Sequence, residues 1–238
     1  MRIEKIRNRT LRQLVYDQLR EKIICAEILP GENISLRDLA ERFGVSLMPV
    51  REALWQLESE NVIVIESNKG MRVNNLTPSQ MEEVLRIRLV LETMAVERAC
   101  DLRPASALPK LDRLLSDMNG CVQNAKKYLG KNSQFHFTLY ALAESPMLLE
   151  IIDRLWARIG PYLYIHTHEP ENLSVAMGYH QAIFEALVKR DKKEIVQALR
   201  GDMETAAHII KPFLIASDRE TQEGVPLSVM NGAIPESR

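Results

Sequence analysis

Two helical patterns meet at Gly44, in SLRDLAERFGVSLMPVREALWQLE (residues 35–58), and that junction limits what the chain can become. Ser35 caps the first helix, whose apolar side is Leu36, Leu39, Ala40 and Phe43. Gly44 ends it in the left-handed conformation that glycine adopts without steric cost. Ser46 caps the second helix, and Pro49 falls in its first turn, where a missing backbone donor costs little. Val50, Leu54 and Leu57 form its inward stripe. Leu47 and Met48 sit at its tip, facing outward, where they make poor core. Upstream, Leu11, Leu14, Val15, Leu19 and Ile23 recur at helical spacing until Pro30 and Gly31 break the pattern. Downstream, residues 62–65 and 71–73 read as two short strands joined by a polar turn. Residues 1–75 are therefore expected to form three helices and a β-hairpin.

The rest of the chain has a helical character. Thr77 and Gln80 make a capping box with Pro78 at the first helical position. The long helix that follows carries Met81, Val84, Leu85, Leu89, Leu91, Met94 and Ala95 as apolar positions. Further helical patterns occupy residues 107–120, 123–143, 146–159, 171–189 and 191–210, with Pro104, Gly120, Pro146, Gly160-Pro161 and Pro170 between them. The fold class expected is mainly α, a three-helix unit with a hairpin followed by an all-α bundle of about six or seven helices over residues 76–216. Residues 217–238 lack periodicity and are expected to be a mobile tail.

Composition narrows the function. Hydrophobic residues make up 46% and charged residues 26%, enough for a core and ordinary for a globular chain. The net charge of −1 gives no general bias toward nucleic acid, although a local basic face is compatible with it. Up to Asn74 there are 12 Lys and Arg against 11 Asp and Glu, so Asp38, Glu41, Glu58 and Glu60 must face away from any duplex. Cys25, Cys100 and Cys121 lie far apart, as reduced thiols would in a cytoplasm. No apolar run is long enough for a membrane span.

A helix, a short turn, a helix and a hairpin form a winged helix-turn-helix. In that motif the second helix enters the major groove and its first residues meet base edges. The helix starting at Ser46 would be the reader, with Arg51 one turn in, Arg37 on the preceding helix, and Lys69 at the wing tip. The pattern alone also suits a protein-interaction module.

The segment from Val15 to Val73 resembles the DNA-binding domain of the GntR family of transcription regulators. The matching elements are the Pro-Gly after the first helix, LAERFGVS, PVREAL, and the strand–Gly–strand wing. The resemblance implies DNA contacts at Arg37, Ser46, Leu47, Met48, Pro49 and Arg51, and at Lys69 and Gly70 in the wing. Many relatives carry an arginine where this chain has Leu47, and a glycine where it has Asn61. Without that arginine, a bidentate contact to guanine is lost, and Leu47 and Met48 become apolar contacts suited to thymine methyl groups.

Residues 86–99, 132–145 and 180–199 resemble the FCD effector domain of the FadR-like branch, VanR-type members in particular. This implies an all-α domain that dimerises and binds a small organic acid, on a regulator that binds a pseudo-palindromic operator, with repression as the default. Many such domains hold a divalent metal with an Asp-x-x-x-His pair and two more histidines. Here the positions carry Asn132, His136, His180 and Asp202, so two of four are changed. Zn or Ni would suit imidazole and oxygen ligands. LWARIGP (residues 155–161) is similar to a McbR-like subgroup whose metal set is degraded, which favours a metal-free site. His136 is equally readable as a hydrogen-bonded core histidine, and His180 as the lining of a metal-free pocket. His166 and His168 alternate along the chain and read as a solvated loop. Arg88 and Glu92, at i and i+4, are either a helix salt bridge or, as the resemblance implies for Arg88, a carboxylate fork in the effector cavity. Effector contacts are thus expected at Arg88, Asn132, His136 and His180. A metal-dependent enzyme and an interaction adaptor remain as alternatives, although no nucleophile elbow or phosphate loop is present.

Overall fold

The computed structural model describes residues 10–66, 70–167 and 169–222. Helix α1 (Leu11–Ile24) begins at Thr10, whose hydroxyl accepts the Gln13 N–H at 3.2 Å. Strand β1 (Asn33–Ile34), helix α2 (Leu36–Phe43), helix α3 (Leu47–Ser59) and strands β2 (Ile63–Glu66) and β3 (Gly70–Val73) follow. The sheet is antiparallel in the order β1-β3-β2, with Ile34 opposite Met71 and Ile65 opposite Met71 on the other side. The sequence pattern shows the hairpin and misses β1, because a two-residue strand is too short to display an alternation.

The core of this unit is Val15, Leu19 and Ile23 of α1 against Val50, Ala53, Leu54 and Leu57 of α3, closed below by Val62, Ile63 and Val73. Leu11 and Leu14, expected in the apolar stripe of α1, are instead exposed. Leu14 lies more than a third of a turn from the Val15–Leu19–Ile23 line, and Leu11 occupies the terminal turn beyond the reach of α3.

Thr77 opens α4 (Pro78–Leu102) with a complete capping box. Helices α5 (Leu108–Asn119), α6 (Ala125–Ala141), α7 (Pro146–Ile159), α8 (Leu163–His166), α9 (Pro170–Lys189) and α10 (Lys192–Gln222) complete the chain, with short 3-10 turns at Ala105–Ala107 and Gly160–Tyr162. No strand follows Val73 among the described residues. Helix α10 runs well past residue 210, through Pro212 and into the stretch expected to be a tail. Ile210 and Leu214 explain this, since both are buried against Met81, Val84 and Tyr162, and that burial outweighs the hydrogen bond Pro212 cannot donate. Residues 223–238 of the expected tail lie outside the described residues. No helix among the described residues is long and apolar enough to cross a membrane.

Two arginines tie the ends of α4 and α9 together. Arg103, just past α4, donates to the carbonyls of Leu187 and Val188 at 2.7 and 2.6 Å. Arg190, just past α9 in a left-handed conformation, donates to the carbonyls of Cys100, Asp101 and Arg103. Each helix thus has its terminal carbonyls satisfied by the other's arginine. Met94, expected inside, is exposed and shares the outer face of α4 with Ile87 and Val90. Replacing Arg103 with Ala should lower the unfolding free energy by about 2 kcal/mol, because the charge-assisted bonds to the Leu187 and Val188 carbonyls go and Leu187 O keeps only the Arg190 backbone N–H. A fall in the urea midpoint at unchanged slope is the expected result.

Candidate DNA-reading helix and effector cavity

Gly44 turns the chain between α2 and α3 at φ 64° and ψ 34°, and Val45 closes the turn by donating to Ala40 O at 3.1 Å. Ser35 caps α2 through its hydroxyl as expected, accepting the Asp38 N–H at 3.3 Å. Ser46 occupies the cap position of α3 but its hydroxyl makes no capping hydrogen bond. It is exposed, and the side chain is left uncommitted. Leu47 and Met48 are 41% and 56% exposed, Arg37 and Arg51 are exposed, and Pro49 is half-buried. Trp55, 51% exposed, lies on the same side of α3 as Met48 and Arg51 and was missed by sequence reasoning. Its phase was available, since it follows Arg51 by four residues. Gly70 starts β3 at φ 89°, a conformation that requires glycine. Lys69 lies outside the described residues.

The second half encloses a polar cluster. Arg88 and Glu92 of α4 are buried, 5% and 0% exposed, so the surface salt bridge allowed by their spacing is a core ion pair instead. Glu92 accepts four hydrogen bonds: from Arg88 Nε at 2.6 Å and Nη2 at 3.3 Å, from the Tyr140 hydroxyl at 2.5 Å, and from Trp156 Nε1 at 3.1 Å. The Arg88 guanidinium also lies over the Trp156 ring, 4.7 Å from its centroid. Helices α4, α6 and α7 meet at this one carboxylate.

The network assigns a tautomer. Tyr140 has one proton and gives it to Glu92, so its oxygen must accept from His136 Nδ1, 3.0 Å away. His136 then carries its proton on Nδ1 and presents a bare Nε2. That nitrogen is 3.1 Å from His180 Nε2, which must donate to it. His180 Nδ1 is buried with no partner among the described residues. Asp202 approaches both rings, its carboxylate oxygens 3.6 Å from His136 and 3.7 Å from His180. Burial keeps both imidazoles neutral, His136 well below its ordinary value and His180 down at about 3, so these are polar contacts between neutral rings and a carboxyl group. Burial pushes Asp202 up to about 7, with Arg88 pulling it back.

His136, His180 and Asp202 offer ligand atoms within 4.8 Å of one another. Asn132, one turn before His136, is buried and lines the same cavity. The donor set fits a divalent ion in two respects: the rings are neutral at neutral pH, and the hydrogen bonds running through Tyr140 to Glu92 hold His136 with its bare Nε2 toward the cavity. It fits less well at His180, which must shift its proton to the unpartnered Nδ1 before Nε2 can coordinate. His166 corrects the sequence expectation of a solvated loop. It ends α8, is buried, lines the cavity, and is held at about 4 by burial. His168 lies outside the described residues. The Tyr128 hydroxyl also borders the cavity without a partner among the described residues. The space is about 50 Å³, room for an ion or a few waters.

Comparison with known proteins finds two family models that match the chain. Residues 11–73 match the model described as bacterial regulatory proteins, gntR family, and residues 83–205 match the FCD domain. The HTH-type transcriptional regulator McbR of Escherichia coli (strain K12) is 30% identical over 194 residues, spanning 79% of this chain and 87% of McbR. The HTH-type transcriptional repressor RspR of the same strain is 27% identical over 204 residues, spanning 84% of this chain and 88% of RspR. Among solved structures, E. coli McbR/YncC matches with a TM-score of 0.80 at 28% identity, covering 85% of this chain and 98% of that one.

Two outcomes follow from the cluster. Glu92→Gln leaves the Arg88 charge buried without its counterion and should cost about 3–5 kcal/mol of stability, seen as a lower urea midpoint. Acid should also weaken the metal-free protein. His136, His166 and His180 have depressed values in the fold but titrate near ~6.5 when unfolded, so below that pH the unfolded chain takes up protons the fold refuses. Asp202 acts oppositely, being protonated in the fold up to about 7. Burial raises Asp153 as well, but three imidazoles outweigh two carboxyls, so stability should fall as the pH drops from about 6.5 toward about 4.5. Urea midpoints in chelating buffer across that range give the test.

Proposed function

This chain belongs to the GntR family of bacterial regulators and carries an FCD domain, and from that premise we propose that it is a homodimeric repressor released from its operator by a small organic acid. The observation that carries the reading is the outward face of α3, where Leu47, Met48 and Arg51 project beyond a glycine turn. Arg51 holds a phosphate or base, and Arg37 holds a phosphate. Ser46, its hydroxyl free of capping duty, donates to a phosphate, and Pro49 stiffens the entry. Lys69 and Gly70 bring the wing to the backbone. Leu47 and Met48 read thymine methyl groups. Trp55 extends this face by two turns and packs against the groove wall.

In the second half, Arg88, Asn132, His136 and His180 receive the acid. Arg88 supports this role because its Nη1 has no protein partner among the described residues, while the rest of its guanidinium is anchored on Glu92. The cavity must widen to take more than a few atoms. A divalent ion such as Zn or Ni held by His136, His180 and Asp202, with Asn132 beside them, would supply a positive centre for the acid's carboxylate. Ile87, Val90 and Met94 on α4, with Met147 and Ile151 on α7, form exposed apolar surface suited to a second copy. Each subunit then meets one half-site of a pseudo-palindrome. The site is assigned to binding, without turnover, and the protein to the cytoplasm with its DNA.

Gel shifts on the protein's own upstream region should show affinity falling with salt. Arg51→Ala should weaken binding by about 1–3 kcal/mol; unchanged affinity would remove α3 from the groove. Leu47→Arg should redirect base preference toward guanine in a randomised-site selection with the melting temperature unchanged. Elemental analysis of tag-free protein tests the metal: His136→Ala should lose whatever ion the wild type holds, and metal-free wild type would leave Arg88 as the sole cationic anchor.

A further inference from the structure

The end of α7 and the turn after it have two faces. Trp156, Ile159 and Leu163 line the cavity. Asp153, Ala157 and Gly160 point the other way, onto α1. Ala157 is buried in the apolar core of the N-terminal unit, although it belongs to the helical half. Arg20 of α1 pairs with the Asp153 carboxylate at 2.9 Å and also donates to its backbone carbonyl. The Arg20 side chain is 12% exposed, so this pair is partly withdrawn from solvent. Gly160 lies so near α1 that a Cβ there would sit 3.0 Å from Ile24 Cγ2 and 3.2 Å from Ile24 Cα. Backbone cannot yield as a side-chain tip can. Tyr162 finishes the segment, its hydroxyl accepting the Leu76 N–H at 2.7 Å where the chain passes between the two halves.

Helix α1 in turn is the platform of the reader. Leu19 and Ile23 pack with Val50 and Leu54 of α3, and the Tyr16 hydroxyl donates to Glu60 at the end of α3 at 2.7 Å. A continuous set of packed contacts thus runs from the cavity wall through residues 153–162 to α1 and α3. Since the cavity is about 50 Å³, a ligand larger than a few atoms must displace part of its wall. Trp156 is anchored on Glu92 and stacked with Arg88, so displacement of this wall falls on Ile159 to Leu163, where the chain bears on α1.

We propose that Asp153 and Gly160 are positioning residues of regulation, holding α1 so that a change in the cavity wall is felt at the reading helix. The idea rests on the DNA-binding reading above. Coupling between two sites is reciprocal, so operator binding must alter the cavity wall as much as the wall alters operator binding. That permits a test with DNA alone as the probe.

The full chain would be followed by amide hydrogen exchange with and without a duplex from its upstream region, binding being tracked separately by anisotropy of labelled DNA. In the wild type, duplex binding should change exchange rates across residues 153–163 by several-fold. In Asp153→Ala the duplex should still bind while that change shrinks below about twofold, and Asp153→Glu should restore part of it. Gly160→Ala, which pushes on Ile24, should shift operator affinity about fivefold in either direction although it lies far from α3. The proposal is overturned if duplex binds the wild type and leaves residues 153–163 unchanged. It is equally overturned if Asp153→Ala and Gly160→Ala respond as the wild type does. Absence of any duplex binding by anisotropy would instead overturn the DNA-binding reading. Should Asp153→Ala prove unfolded by circular dichroism, Arg20→Gln, which removes the one guanidinium nitrogen that makes both contacts to Asp153, replaces it with the same expectations.

Discussion

The Glu92 carboxylate organises the helical half. It is wholly buried, and burying a charge is tolerable only if the charge is paired and its lone pairs are filled. Arg88, Tyr140 and Trp156 meet that condition from three helices, so the positions of α4, α6 and α7 are set by a single group. The constraint propagates outward. Because Tyr140 spends its proton on Glu92, His136 must donate to Tyr140, and its other nitrogen faces the cavity bare. A core ion pair thereby decides the protonation pattern of a binding site two residues removed from it. Arg88 serves both places, neutralising Glu92 and lending the cavity positive potential that moderates the raised value of Asp202.

The N-terminal half relies on different physics. Net charge is balanced there, so attraction to DNA cannot come from bulk charge. It depends on geometry, which the left-handed Gly44 turn supplies by aiming the first turn of α3 outward. With leucine and methionine at the tip, the proposed recognition would rest on shape and methyl contact more than on hydrogen bonding. Affinity that rests on few charged contacts should respond less to salt than that of arginine-rich readers.

Much of the fold was legible in the sequence, for identifiable reasons. Capping residues such as Ser35 and Thr77, the prolines at helix starts, and Gly44 act locally, so the chain announces them. The inward stripe of α3 was equally plain. What escaped depended on tertiary partners. Strand β1 exists because β3 lies beside it. Pro212 does not end α10 because Ile210 and Leu214 find a core. Leu14 and Met94 look like core by composition, yet face outward because no helix among the described residues packs on their side. At the cavity, the resemblance pointed to Asn132, His136, His180 and Asp202, and spacing put the first two on one helix face; the structure brings the last three to one point. Nothing local could show that His166 turns inward or that the Arg88–Glu92 pair is buried. Helical phase did contain Trp55, which went unremarked because exposed tryptophan carries no motif.

The paired arginine caps at the ends of α4 and α9 have a mechanical consequence. By clasping each other's terminal carbonyls, Arg103 and Arg190 make the helix bearing Arg88 and the helix bearing His180 one rigid body. That same body carries the apolar seam on α4 through which a second subunit is proposed to attach. In the proposed dimer, a displacement of either clasped helix would carry the seam with it, so the two copies would share the movement.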